Sequence, residues 1–258
     1  MLTFREIQQF YPLPLQGFQQ FLLREYLQCK ILALLFESAF AEKFAFLGGT
    51  CLRLIHQNNR FSEDLDFDNF HLSSDEFALV SDALRIGLEK EGLEVEMRNV
   101  MRGAYHCYIK FPNLLFETGL SGHREEKILI QLDTEAQYFP FVPQTTVLNR
   151  FDVFTVVNTT PLDILLSQKL YAICNRKQPK GRDFFDATFL FARTLPNYEY
   201  LEMKLGVSNR EALREKMIAV VEMIDLDAAA RDVQPFLFYP QDIARVRFFG
   251  TFIREAKL

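Results

Sequence analysis

The 258-residue chain contains no tryptophan and only four cysteines. Cys29, Cys51, Cys107 and Cys174 are scattered and form no Cys-x-x-Cys pair. A structural zinc site, which closes on thiolates at short spacing, is therefore not expected. His56, His71, His106 and His123 show no metal-ligating spacing either. No apolar stretch approaches the roughly 20 residues of a membrane span. The first residues, MLTFREIQQF, carry charge where a signal peptide needs an apolar core. The expectation is a cytoplasmic protein with reduced thiols and no membrane partner. Gly-x-Ser-x-Gly elbows and Walker loops are absent, so serine-hydrolase and P-loop chemistry lack support. Positive charge is not in excess. A formal net charge of −5 argues against nonspecific coating of nucleic acid, although it leaves room for a local basic groove. The length suits one large domain or two modest ones.

What is present is concentrated in residues 44–68, FAFLGGTCLRLIHQNNRFSEDLDFD. An apolar strand-like run ends in Gly48-Gly49-Thr50. An amphipathic helical stretch follows, and then Asp64-Leu65-Asp66. The glycines allow the backbone to approach a phosphate closely, with amides free at a helix N-terminus. Residues two apart in a strand face the same way, so Asp64 and Asp66 present two carboxylates to one side. Hard oxygen anions beside a phosphate cradle are what Mg²⁺–nucleotide chemistry needs. Taken singly, the glycines also read as a tight turn, Thr50 as a helix cap and the aspartates as loop carboxylates. Arg53 and Arg60 flank the segment. Either touches phosphate or balances the aspartates.

Periodicity predicts a long helix over 17–43, a strand at 44–47, a helix at 50–58 and a strand at 64–70. A helix over 76–91 follows, capped by Ser74 and Asp75 and stopped by Gly92. Strands are expected at 93–100, 104–111 and 127–135. In the last, Ile128, Ile130 and Leu132 alternate with Gln131, Asp133 and Glu135. Asp133 is thereby a candidate third carboxylate, or else part of a solvated strand face. After Asn158-Thr159-Thr160-Pro161 the chain reads mainly helical, over 161–175, 182–194, 209–224 and 240–255.

Lys169 lies four residues after Leu165 and seven after Leu162, on an apolar helical face where a lysine is unusual. It is either a cation aimed at a ligand or a lysine whose stem packs and whose head reaches water. From Lys169 to Arg182 there are five cations and no acid, a run that suits a triphosphate or RNA. Arg182, Asp183 and Asp186 open the next helix. Asp183 favours the helix dipole there, and Asp186 shares its face and is within reach of Lys169.

The ordered strings GGTCLRL and RFSEDLDFD, with thirteen residues between Thr50 and Asp64, resemble the nucleotidyltransferase superfamily of polymerase-β-like fold. Within it they look like the AbiEii/AbiGii toxin family. A second match, QKLYAICNRKQPKGRDFFDATFL at 168–190, resembles later motifs of that family, a helical Lys followed by Arg-Asp-x-x-Asp. The resemblance spans roughly 20–195. It implies an α/β (α+β) protein: a mixed-sheet nucleotidyltransferase core over 1–157, leading helix included, then a helical bundle over 158–258, with the active site between them. It implies Asp64, Asp66 and Asp133 as catalytic metal ligands for Mg²⁺ or Mn²⁺. Gly48, Gly49, Thr50, Lys169, Arg182 and Asp183 would bind nucleotide, and Lys169 and Asp186 would also act in catalysis. The activity implied is transfer of NMP from an NTP to RNA, a tRNA 3′ end foremost, by the toxin of a toxin–antitoxin or phage-defence pair with a separate antitoxin. Two other readings share the same residues: transfer to a small molecule or a protein hydroxyl, and a non-catalytic nucleotide-binding module.

Overall fold

The structure is a computed structural model that describes residues 1–258. The chain gathers into two units. Residues 1–55, 62–138 and 143–159 form the first; 56–61, 139–142 and 160–258 form the second. Two short stretches that sequence order would give to the N-terminal part thus group with the C-terminal one.

The first unit carries a seven-stranded sheet of β1 (Phe44–Leu47), β2 (Leu65–Asn69), β3 (Glu96–Arg102), β4 (Ala104–Phe111), β5 (Ile128–Ala136), β6 (Gln144–Arg150) and β7 (Val153–Thr159). The order is β3-β4-β5-β2-β1-β7-β6. β2 runs parallel to β5 and β1 parallel to β7, while the other pairs are antiparallel. The sheet is therefore mixed.

Alternation sorts its two faces. Ile128, Ile130 and Leu132 of β5 are buried, as is Phe67 of β2. The Phe67 ring packs against Phe44 and Phe46, with centroids 5.6 and 5.4 Å away. Helices Gln19–Phe36 and Ser74–Lys90 pack on this apolar side, with Phe36 and Phe77 meeting Phe67 and Tyr105. Much of the abundant phenylalanine is spent here and in the second unit, where Phe184, Phe185 and Phe249 are fully buried.

Several elements differ from the pattern in the sequence. The helix expected over 17–43 ends at Phe36. The Ser38 hydroxyl accepts from the Phe40 amide, a local bond that competes with helical pairing. The helix expected over 50–58 runs from Gly48 to Leu54, and Gln57 then adopts φ 61°. Hairpin β6–β7 is not foreshadowed in the sequence, because its turn carries no Asn-Gly or Asp-Gly. Phe151 takes the left-handed conformation instead, with φ 57°. Its ring packs against Phe10, Tyr11 and Tyr26, and the Arg150 guanidinium lies 5.0 Å from it. These contacts offset a strain of about 1–2 kcal/mol. The helix expected over 240–255 is broken at Phe248 into Ala244–Arg247 and Phe249–Glu255.

In the second unit, helices Leu162–Asn175, Gly181–Phe191, Tyr198–Leu205, Arg210–Val221 and Leu226–Val233 pack on one another. Residues 56–61 join through an isolated bridge between Arg60 and Leu237. All four cysteines are free. No helix is long and apolar enough to cross a membrane.

Candidate active site

Two of the expected carboxylates are brought together by strand register. Asp66 on β2 lies directly opposite Asp133 on the parallel strand β5. Adjacent strands lie about 4.8 Å apart and paired residues share a face, so both carboxylates rise from the side opposite the phenylalanine core. Asp64 precedes β2 and is two residues from Asp66. Both are partly exposed. Glu135, two residues further along the same strand face, lies opposite Asp68 instead.

The glycine pair has a steric reason. Gly48 adopts φ 76°, and a Cβ there would sit 2.2 Å from Asp66 Oδ2. Only glycine both takes this conformation cheaply and lets the Asp66 carboxylate lie on the backbone. Thr50 is fully buried, and its hydroxyl donates to the Asp64 carbonyl. That bond ties the helix after β1 to the segment leading into β2, and it fixes where Asp64 stands.

Asp133 is held from two sides. Gln131 Nε2 donates to both of its oxygens, at 2.8 and 2.9 Å. His106 Nδ1 lies 2.7 Å from Oδ1, delivered by β4, where His106 is the register partner of Asp133. Neither residue stands out in the sequence as part of the site. Gln131 is visible there two positions before Asp133 on the same strand face. His106 can be found only by fixing the β4–β5 register.

The hard oxygen donors and the shared sheet face fit a divalent cation. The side-chain positions do not by themselves complete a site: no three His, Cys, Asp or Glu side chains gather closely enough to hold a metal ion. Asp133 has both oxygens on Gln131 and one on His106, and it must yield part of this to coordinate.

The residues of the second motif form a cluster within the second unit. Lys169 Nζ lies 3.1 Å from Asp183 Oδ1 and 2.9 Å from Asp186 Oδ2. Arg60 grips Asp186 with Nη2 at 2.6 Å and Nε at 2.7 Å, and Asn58 adds a bond of 3.0 Å. Arg176 pairs with Asp183. Burial opposes the charge of Asp186, but Arg60 and Lys169 outweigh it and hold its carboxyl down at about 2. Burial likewise pulls the Lys169 ammonium toward neutrality, and Asp186 and Asp183 reverse this, raising its pKa. Of the two readings of Lys169, the structure displays neither a free edge lysine nor a bare cation but one engaged by two buried carboxylates. Arg60 belongs to Asp186, and Arg53 to Glu25 at 2.6 Å. Lys177 and Lys180 are exposed and Arg182 is half-buried.

A mixed sheet with a glycine turn against an aspartate pair marks the chain as a nucleotidyltransferase, and the family follows from a direct match. The model of the nucleotidyl transferase AbiEii toxin family, type IV toxin–antitoxin system, matches residues 30–244. The chain belongs to that family. The fold is similar to JHP933 from Helicobacter pylori, at TM-score 0.57 and 18% identity, over 91% of this chain and 90% of that one. It is also similar to MenT4, the nucleotidyltransferase toxin Rv2826c from Mycobacterium tuberculosis H37Rv, at TM-score 0.58 and 16% identity, over 100% and 91%. No curated protein sequence matches the chain. The protein is thus an enzyme of the toxin nucleotidyltransferase class, whose family implies an NTP substrate and an antitoxin partner.

Proposed function

We propose that the protein transfers NMP from an NTP to an RNA acceptor, a tRNA 3′ end foremost, in the cytoplasm, as the toxin of a toxin–antitoxin or phage-defence pair. The observation that carries this reading is the in-register pair Asp66–Asp133, with Gly48 shaped to receive the Asp66 carboxylate.

In this reading Asp64 and Asp66 hold Mg²⁺ or Mn²⁺, with Asp133 as the third carboxylate. The metal, when bound, supplies charge stabilisation to the phosphoryl oxygens. The acceptor hydroxyl oxygen attacks the α-phosphorus, the bond to the bridging oxygen breaks, and pyrophosphate leaves. Asp133 accepts the hydroxyl proton. Gln131 and His106 orient its carboxylate for that task. The backbone at Gly48-Gly49-Thr50 approaches the phosphates. Of the family's second motif, Lys169, Asp183 and Asp186 close an ion cluster that holds this part of the chain in place, and Arg182 is the cation left to meet nucleotide charge.

The test is incubation with each α-labelled NTP and total bacterial RNA, with Mg²⁺ or with EDTA. One NTP should label RNA, and EDTA should abolish the signal. Asp66→Asn should lower turnover by roughly 10²–10³-fold, the scale for losing one preorganised electrostatic group, while the melting temperature holds or rises. Near-normal turnover in this variant, or label incorporated in EDTA, refutes the proposal.

A further inference from the structure

The sheet face that carries Asp66 and Asp133 continues across β4 and β3, and its register is fixed. One cross-strand row reads Asp66, Asp133, His106, Val100. The next, two residues along, reads Gln131, Tyr108, Arg98, and the third reads Leu129, Lys110, Glu96. Successive rows on one face are roughly 7 Å apart. Glu96, Arg98, Tyr108, Lys110 and Leu129 of these two rows, together with Met97, line a groove of about 300 Å³.

The groove's chemistry is specific in three ways. Its aromatic floor is a half-buried tyrosine with the Arg98 guanidinium 5.8 Å from the ring centroid. Its one acid, Glu96, is already paired with Lys127 at 2.7 Å. Arg98 and Lys110 are exposed; Lys110 stands opposite Glu96 and helps hold its carboxyl below the usual range, after Lys127. In a chain of net charge −5, this leaves a local positive strip over an aromatic platform. Phenol rings and guanidinium planes both stack unpaired bases, and exposed cations attract phosphates. Leu129 is 38% exposed and adds an apolar edge against which a base can lie.

We propose that this β3–β4–β5 groove is the acceptor subsite, holding the single-stranded end of RNA. Tyr108 and Arg98 stack a base, Lys110 meets a phosphate, and the terminal hydroxyl is led along the face toward Asp133. Gln131 links the two regions, since it stands beside Tyr108 and holds the Asp133 carboxylate. This assignment rests on the RNA-acceptor reading above.

The test separates RNA binding from nucleotide binding. Anisotropy of a 5′-fluorescein single-stranded oligoribonucleotide is measured for wild type, Tyr108→Ala, Tyr108→Phe and the double variant Arg98→Ala/Lys110→Ala. The thermal shift given by Mg²⁺–NTP is measured in parallel. Tyr108→Ala should weaken RNA binding about tenfold, the effect of one lost stacking contact, and Tyr108→Phe should restore it. The double variant should weaken binding and flatten the dependence of log K on log salt by about 0.7, the share of the one phosphate contact that Lys110 makes on a single strand. The Mg²⁺–NTP shift should stay at its wild-type size in all three.

If wild type binds RNA and all three variants bind it equally well, the groove assignment is wrong and the RNA reading survives. If wild type neither binds nor labels RNA, both fall together. Loss of the Mg²⁺–NTP shift in Tyr108→Ala would mean that the groove holds the nucleotide substrate, and the acceptor assignment would be overturned. A groove that docks a protein instead would leave both RNA readouts unchanged in the variants, and this too would overturn the acceptor assignment.

Discussion

Asp133 and Asp186 are both carboxylates delivered by regular elements, and each meets a cationic or polar partner, yet they are finished differently. Asp186 is fully buried, with its oxygens taken by Arg60, Lys169 and Asn58. Asp133 has a side chain 29% exposed and is held by an amide and an imidazole. The first arrangement is saturated. Any ligand would have to displace charge pairs that already compensate a large desolvation cost. The second leaves an oxygen-rich face with interaction capacity in reserve. Residue type alone does not separate structural acids from chemical ones; saturation does.

The largest effect should come from breaking the saturated side. Asp186→Ala leaves Arg60 and Lys169 without their shared anion and should cost roughly 3–5 kcal/mol in denaturant unfolding. A loss below about 1 kcal/mol, the scale of an exposed pair, would show that the cluster is not closed.

Lys169→Ala should cost less, about 1.5–3 kcal/mol, because Asp186 keeps Arg60 and Asp183 keeps Arg176. A mutant that melts normally but loses its Mg²⁺–NTP shift would instead make Lys169 a phosphate ligand.

Gly48→Ala sharpens the open side. The left-handed backbone should cost about 1–2 kcal/mol, while the new Cβ pushes the Asp66 carboxylate aside. Turnover should therefore fall further than stability, and equal losses would argue against Asp66 as the sensitive group.

The smallest effect is the acid limb of stability. Asp186 titrates near 2 when folded against an ordinary 3.8, so the unfolded chain binds more protons between these values. Its contribution is complete above about pH 4 and is lost as pH falls toward 2. The stability gap between wild type and Asp186→Asn should shrink across that window; a constant gap would break the assignment.

Much of this is legible in the sequence because it is local. Gly48-Gly49 before Asp64 and Asp66 is a contiguous pattern, and the alternation around Asp133 needs only one strand. The family match at 30–244 bears out the resemblance those strings suggest. What cannot be read there depends on register or on distant pairing. His106 reaches Asp133 through the β4–β5 ladder. Hairpin β6–β7 turns on Phe151, a residue no turn rule favours. Arg60 stands four residues from Asp64 in sequence, which suggests that it balances that aspartate, yet it serves an acid 126 residues away.

That last separation bears on how the protein is made. Residues 56–61 leave the ribosome early, but the helices they join are encoded after position 160. Arg60 must wait for 126 further residues before Asp186 exists to receive it. At about 5–20 residues per second this is a delay of roughly 6–25 s, during which the second unit cannot close around its buried charges. Closure across so long a loop also raises contact order and slows the final step. An emerging chain therefore passes through an interval with its sheet-forming sequence largely synthesised and its ion cluster unmade, and a nascent toxin stalled before Asp186 would lack the fold's most tightly held charge.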